Sequence, residues 1–219
     1  MRRRAAVLVG ALAVVAPVGA WAQPVAVAAQ PVEAPATRLV LPAPGQRAVR
    51  SWWVPTLHGV GLLGAQRVGA SVLWGRAFAL DDGAALARQF ARAYTEPPKF
   101  DPGRRPFEWD GDWWAINVVG HGLMGSELYL RARQCGHGPW ASLAFTAVAS
   151  TAWEYLVEAW HVRPSALDLV WTPLAGMGLG ELRRAVWQWA GGAPRAARVI
   201  VRAVVDPFGE LERALGTRC

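Results

Sequence analysis

Three side chains that can bind a metal ion or transfer a proton lie on three successive stretches of otherwise apolar sequence: His121, Glu154 and Asp168. A histidine with two carboxylates can hold a divalent cation or perform acid–base chemistry, because imidazole nitrogens and carboxylate oxygens bind metals and also titrate. These are our candidate catalytic or metal-binding residues. The alternative is a buried hydrogen-bond network that holds three helices in register, because buried polar groups need partners.

Other polar side chains accompany the first of these stretches. Asn117 is four residues before His121, so both are expected on one helix face. Ser126 is five residues after His121, about 140° around a helix, which places the two poorly as nucleophile and base. The full set of candidate supporting residues is Asn117, Ser126, Ser150, Glu158, Ser165 and Thr172.

The second stretch carries a polar stripe, in which Ser150, Glu154, Glu158 and His161 follow steps of four, four and three residues. Two carboxylates four residues apart repel each other when both are ionised in a low dielectric. A cation, an arginine or a shared proton would relieve that repulsion. For Glu158 and His161, a solvated helix end is the simpler interpretation.

Glu154 is the residue of this stripe for which burial is most strongly indicated, because Trp153 and Tyr155 flank it. An isolated carboxylate in such surroundings is strongly penalised. We therefore expect Glu154 to meet His121 or a hydroxyl group from a neighbouring helix.

The third stretch opens with Ser165 and Asp168 in the S-x-x-D spacing of a helix start, which predicts that Ser165 caps the helix. Asp168 also faces Thr172, four residues on, and is positioned to point into a bundle. Gly176 and Gly180 repeat a small-residue spacing that allows another helix to approach closely.

Known catalytic motifs are absent from the sequence. It contains no nucleophile elbow, H-E-x-x-H zinc motif or phosphate-binding loop. Cys135 and Cys219 are the two cysteines, and their spacing excludes a thiolate zinc site. We interpret them as two unrelated thiols. No cofactor is identified, and a divalent metal is the one ligand that the polar residues suggest.

The elements that must position these residues are helices, since no useful length of period-2 alternation occurs. We predict an all-α fold, a compact bundle of about five to six helices. Segments with helical patterns are 56–78, 84–94, 113–134, 139–160 and 165–190, with less regular patterns at 194–205 and 206–215. The proline-rich segment 95–112 is predicted to be a loop.

The N-terminal region has the pattern of a secretory signal. Three arginines are followed by an apolar run over residues 5–18 and by Ala20-Trp21-Ala22, which predicts cleavage before Gln23. The predicted domains are a signal peptide (1–22), a disordered Pro/Ala-rich leader (23–50) and a helical domain (51–219). Export to the periplasm or to a membrane-associated place in the cell envelope follows. An uncleaved membrane anchor is the alternative.

The charge pattern excludes one class of partner. The net charge is +7, but Arg2, Arg3 and Arg4 supply three of these charges and the other arginines are scattered, which argues against nucleic-acid binding. Charged residues interrupt the apolar runs, so we expect a compact helical domain in the periplasm, with a membrane-embedded or membrane-attached bundle as the alternative. Thirteen tryptophans nevertheless suit a membrane surface. An envelope protein or a membrane surface is the predicted partner, and the oligomeric state stays open.

Several spaced blocks resemble an uncharacterised bacterial envelope family, domain of unknown function 3943, over about residues 107–215. The blocks are Trp114-Ala-Ile-Asn117-Val-Val-Gly-His121, Gly125-Ser126-x-x-Tyr129, Ser150-x-x-Trp153-Glu154-x-x-x-Glu158, Pro164-Ser165-x-x-Asp168-Leu169 and Thr172-Pro173-x-x-Gly176-x-x-x-Gly180-Glu181. Gly122 departs from the proline expected after the histidine. A weaker resemblance is to VanZ-like helical proteins, which also place a His, a Glu and a Ser-x-x-Asp pair on successive helices.

Neither resemblance implies an established reaction, and both imply a helical envelope protein with a polar cluster. We therefore predict an exported helical envelope protein in which His121, Glu154 and Asp168 form a buried cluster with a structural or scaffolding role. The alternative is a metal-dependent or acid–base hydrolase that uses the same cluster.

Overall fold

The structure is a computed structural model that describes residues 50–73, 75, 82–217 and 219. All of them belong to one compact unit, Gly45–Cys219. The predicted signal peptide (1–22) and the leader (23–50), except for Arg50, lie outside the described residues and stay predictions. The end of the first predicted helix, residues 76–78, lies outside them as well.

Seven α-helices make up most of the described chain, so the all-α prediction is confirmed. Their number slightly exceeds the expected five or six, because both C-terminal segments are helical. Within the described ranges, β-type pairing is limited to one parallel bridge between Lys99 and Ser165. The helices are α1 (Trp53–Leu73), α2 (Gly83–Thr95), α3 (His121–Gln134), α4 (Pro139–Ala152), α5 (Ala166–Trp189), α6 (Arg195–Val205) and α7 (Pro207–Ala214).

Two π-helical turns interrupt what the sequence pattern predicts as continuous helices. One, Ile116–Gly120, leads into α3, and the other, Trp153–Glu158, follows α4. In the first turn the amide of His121 donates to the carbonyl of Ile116, five residues back. Each π turn rotates the following side chains relative to an ordinary α-helix, and such turns are frequent at functional sites.

Short polar side chains begin three of the helices. Asp82, Ser165 and Asp206 each accept a hydrogen bond from a backbone amide in the first turn of α2, α5 and α7 respectively. They satisfy amides that have no partner inside the helix. The predicted capping role of Ser165 is therefore confirmed. α5 continues through Pro173 to Trp189.

α3 is the central helix, since every residue from Met124 to Ala132 is buried. α4 and α5 pack against α3 and against each other, and α1 packs on α3. The fold therefore surrounds one helix with its neighbours. The residues at the N-terminal end of α3 lie where α5 and the end of α4 meet it.

The polarity of α4 is inverted with respect to an ordinary surface helix. Its buried residues are Ser142, Thr146 and Ser150, whereas Trp140 and Val148 are exposed. A water-facing helix normally buries its apolar side chains and exposes polar ones. Among the described residues, no helix is both long enough and apolar enough to cross a membrane.

Cys135 and Cys219 form a disulfide with their Cα atoms 5.0 Å apart, so our interpretation of two unrelated thiols is wrong. The cysteines are separated by 84 residues, and the end of α7 must return to the end of α3 to join them. Two contacts hold the helices in that arrangement. Gln134 Nε2 donates to Asp206 Oδ2 at 2.7 Å, and Arg131 Nη2 lies 3.0 Å from Glu212 Oε2.

Candidate functional site

The three predicted site residues come together in the interior. His121 begins α3, Glu154 lies in the π turn after α4, and Asp168 lies in the first turn of α5. One ligand-type atom from each residue lies within 4.8 Å of the other two. Their exposed fractions are only 6%, 1% and 2% respectively. We call these three residues the polar cluster; its existence confirms the central prediction from the sequence.

The position of His121 depends on the close approach of α3 and α5. A Cβ atom on Gly125 would lie 2.1 Å from the carbonyl oxygen of Thr172, and one on Gly176 would lie 2.6 Å from the carbonyl carbon of Gly125. Only glycine permits this distance between the two backbones. As a result, Nδ1 of His121 lies 3.0 Å from Oγ1 of Thr172 and 3.6 Å from Oδ1 of Asp168.

The two carboxylates of the polar cluster each keep one oxygen without a hydrogen bond. Oε2 of Glu154 accepts the backbone amide of Ser165 at 2.8 Å, but its Oε1 is buried and has no hydrogen-bond partner. Oδ1 of Asp168 is in the same situation. We expected Glu154 to meet His121 or a hydroxyl group; its hydrogen bond is instead with a backbone amide, and a ring nitrogen of His121 lies within 4.8 Å of a carboxylate oxygen of Glu154. Ser150 supports the cluster from α4, since its Oγ donates to the carbonyl of Asp168 at 3.2 Å.

Asp110 is a buried residue beside the site that the sequence did not reveal, since it lies in the proline-rich loop before the first π turn. Its side chain is buried and accepts Nδ2 of Asn117 at 2.8 Å, Oγ of Ser165 at 2.8 Å and the amide of Asp112 at 3.0 Å. The last contact is a local turn typical of aspartate, and Gly111 has a φ of 101°. The sequence Asp110-Gly111-Asp112 indicates a turn, but it does not indicate that the side chain of Asp110 is buried.

The carboxyl groups of this region differ in the direction of their pKa shifts. Burial opposes ionisation of Asp110, yet the donated hydrogen bonds outweigh it and hold the pKa of Asp110 below its usual value. Burial and the nearby charge of Asp110 raise the pKa of Asp168 to about 8. Burial, together with Glu158 and Asp168, raises the pKa of Glu154 well above its usual value. Asp168 therefore keeps its proton at pH 7, and Glu154 ionises less readily than an exposed glutamate.

His121 has the opposite response to the same surroundings. Burial lowers the pKa of His121 to about 4, although the charge of Asp110 opposes the shift. The imidazole is therefore neutral at pH 7 and has a nitrogen lone pair to offer. Neutral imidazole and ionised carboxylate are the forms that bind metal ions.

Three predicted supporting residues have no hydrogen bond to the polar cluster, and one of them is Asn117, which donates to Phe107 and Asp110. Ser126 donates to the carbonyl of Leu123 at 2.8 Å and accepts from Nη1 of Arg183 at 2.6 Å, so it belongs to another network. Glu158 accepts Nε1 of Trp153 at 3.0 Å. Burial, assisted by Asp112, raises the pKa of Glu158 to about 7, so it is not simply a solvated helix end.

A second buried network, also missed from the sequence, gives an instructive contrast. Nε2 of His58 lies 3.4 Å from Glu127, and its Nδ1 lies 2.5 Å from Glu212. Here each carboxylate also meets an arginine: Arg183 lies 2.5 Å from Glu127, and Arg131 lies 3.0 Å from Glu212. In the described part of the chain, no lysine or arginine forms an ion pair with the polar cluster.

The arrangement of the polar cluster allows two chemical states. Without a cation, burial favours the protonated forms of Glu154 and Asp168, the amide of Ser165 donates to Glu154, and Thr172 contacts Nδ1 of His121. With a cation, the neutral imidazole and two ionised carboxylates supply three ligands. Oxygen ligands on opposite sides of a Ca²⁺ ion are about 4.8 Å apart, whereas the ligand atoms of a tetrahedral Zn²⁺ site are about 3.5 Å apart, so around Zn²⁺ the three side chains would draw closer together. The observed separations therefore fit one divalent ion with small side-chain movements.

A comparison with known protein families finds a match in the part of the chain that contains the polar cluster. Residues 106–208 match the family model described as Domain of unknown function (DUF3943), which confirms the predicted resemblance and ends slightly before the predicted residue 215. The chain matches no curated protein and no solved structure. The weaker resemblance to VanZ-like proteins stays a prediction. All three residues of the polar cluster lie within the range that is similar to the DUF3943 family model.

Proposed function

We propose that the polar cluster binds one divalent cation, which links α3, the π turn after α4, and α5 in an exported structural protein. One observation carries the proposal: within the described part of the chain, two buried carboxylate oxygens beside a neutral imidazole, Oε1 of Glu154 and Oδ1 of Asp168, have no hydrogen-bond partner. A buried carboxyl oxygen normally has a hydrogen-bond donor, a counter-charge or a metal ion beside it. Arginines pair with both carboxylates of the His58 network, whereas no arginine or lysine among the described residues pairs with the polar cluster.

The donor set narrows the choice of cation. One nitrogen and two carboxylate oxygens suit ions that accept both donor types, such as Zn²⁺ and Mn²⁺, better than Mg²⁺, which prefers an octahedral oxygen environment. Thr172 adds support from outside the cluster, because its hydroxyl group contacts Nδ1 of His121. Such contacts fix the orientation of a metal-binding imidazole.

A hydrolase that uses the same residues is the alternative predicted from the sequence. Each of the three side chains is more than nine-tenths buried, so a substrate would reach them only after the helices separate. The geometry therefore favours the structural role. A metal-loaded protein that hydrolyses an ester or phosphodiester substrate, with activity lost in Glu154→Gln, would instead favour the hydrolase.

Export remains part of the proposal. The charged start, the apolar run and Ala20-Trp21-Ala22 support it, and so does the disulfide, because disulfides persist in oxidising compartments. An envelope protein or a membrane surface is the partner proposed with it. Mass spectrometry of the protein from the cell envelope should find a chain that starts at Gln23. An intact segment 1–22 in that fraction would contradict export by cleavage.

Metal analysis tests the cation site directly. We expect about one Zn²⁺ or Mn²⁺ per chain in purified protein, and a loss of affinity of at least about tenfold in His121→Ala and in Glu154→Gln. His58→Ala is the matched control, since it removes a buried histidine that also lies between two carboxylates. Circular dichroism checks that each variant is folded. Absence of a bound ion from the wild-type protein at saturating Zn²⁺, Mn²⁺ and Ca²⁺ would overturn the proposal.

A further inference from the structure

The outward face of α6 contains no polar side chain. Val199, Ile200 and Val204 are 60%, 63% and 74% exposed, and no residue of this helix is buried. The remaining residues of this face, all exposed alanines, are Ala196, Ala197 and Ala203. An ordinary surface helix exposes polar residues, as α2 does with Arg88 and Arg92. The composition of α6 therefore requires a partner that is itself apolar.

The arginines of α6 lie at the edges and inner side of this face. Arg195 is exposed at the start of the helix. Arg198 donates to the carbonyl of Gly191 at 3.4 Å, and the guanidinium group of Arg202 lies 3.9 Å above the ring of Trp187. Throughout the described part of the chain, none of the three arginines forms an ion pair with a carboxylate. From residue 183 to residue 205 the sequence has five arginines and no acidic residue.

We propose that the outward face of α6 inserts into the interfacial layer of a lipid bilayer with anionic headgroups. Apolar side chains on one helix face with basic residues beside them are typical of helices that lie in the membrane interface. The unpaired arginines supply charge complementary to phosphate-bearing headgroups. Trp189, 70% exposed at the end of α5, has the amphipathic ring that favours the same layer.

The size and charge of the face argue against a second copy of the chain as occupant. A stable protein interface uses about 20–30 residues on each side, whereas this face offers six small or medium side chains. Two copies would also bring their arginine groups together, and like charges across an interface are unfavourable. A bilayer has neither restriction.

A site-specific fluorescent probe tests this contact in the full chain. An environment-sensitive dye on Ile200→Cys is compared with the same dye on Ala91→Cys, on the exposed side of α2. Labelling without reductant preserves the native disulfide. With vesicles of phosphatidylglycerol we expect a blue shift and at least about a twofold rise in emission at position 200 and no change at position 91. Added salt should weaken the response, because it screens the attraction to the headgroups.

A second pair of variants measures the contribution of the apolar face. Val204→Asp should lower the partition coefficient measured by this probe at least about tenfold, because it removes one buried apolar side chain and adds a charge. Ala87→Asp, at an exposed position of α2, should leave it unchanged. No response at position 200, an equal response at position 91, or a response that appears without vesicles and follows self-association would overturn the proposal. None of these outcomes depends on the cation site.

Discussion

The close contact between α3 and α5 predicts a large effect of one methyl group. In Gly125→Ala, the new Cβ atom would lie 2.1 Å from the carbonyl oxygen of Thr172 and 3.1 Å from its Cγ2. An ordinary carbon–oxygen contact is about 3.3 Å, so the two helices must separate by about 1 Å. That separation removes dispersion contacts along the central helix and moves His121 away from Asp168.

The magnitude follows from two opposing effects. Overpacking of a tight core contact destabilises by about 3 kcal/mol or more, and replacing glycine by alanine inside a helix returns about 1 kcal/mol. We expect a net loss of about 2–4 kcal/mol in the free energy of unfolding. For a domain of this size, that corresponds to a fall in Tm of roughly 5–10 °C. Metal affinity should fall with it, because the ligands no longer converge.

Thermal unfolding followed by circular dichroism measures the effect, and Gly178→Ala on α5 is the matched control. Gly178 is exposed, and nothing lies within 4 Å of a Cβ atom placed on it. This control should be as stable as the wild type or more stable by up to about 1 kcal/mol, because alanine favours the helix. If Gly125→Ala melts within about 2 °C of the wild type, the backbones are not in the close contact described above.

Three further predictions concern other parts of the fold. Burial opposes ionisation of Glu181, but hydrogen bonds from two arginines and a tyrosine lower the pKa of Glu181 to about 2. Ionised Glu181 therefore stabilises the folded protein above pH 4.5, and this stabilisation is lost as the pH falls towards 2. Urea titrations should show a loss of about 1–2 kcal/mol in the free energy of unfolding over this range, and Glu181→Gln should not show it. Cys219→Ser opens a crosslink between residues 84 apart and should cost about 2–4 kcal/mol, measured by unfolding without reductant. Asp110→Ala removes the acceptor of two buried side chains and should lower stability by about 2 kcal/mol, whereas Asp112→Ala, at an exposed neighbour, should change it by less than about 0.5 kcal/mol.

The sequence determined the features that depend on local pattern. Helical periodicity identified the helices that carry the site, and the steps between Ser150, Glu154 and Glu158 placed a polar stripe on an otherwise apolar helix. The S-x-x-D spacing identified Ser165 as a cap, which its hydrogen bond to the amide of Asp168 confirms. Flanking aromatic residues indicated the burial of Glu154. Each of these inferences needs only residues within about one or two helical turns.

Tertiary structure decided which of these groups meet and what surrounds them. Asp110 comes from a loop that local pattern describes only as a turn, and the partner of Cys135 is 84 residues away. The π turns alter which faces coincide, since they insert one residue into the helical register. Most of all, the contrast between the two buried histidine networks depends on which arginines reach them. Compensation of a buried charge is a property of the space around it, and residues from distant parts of the chain fill that space.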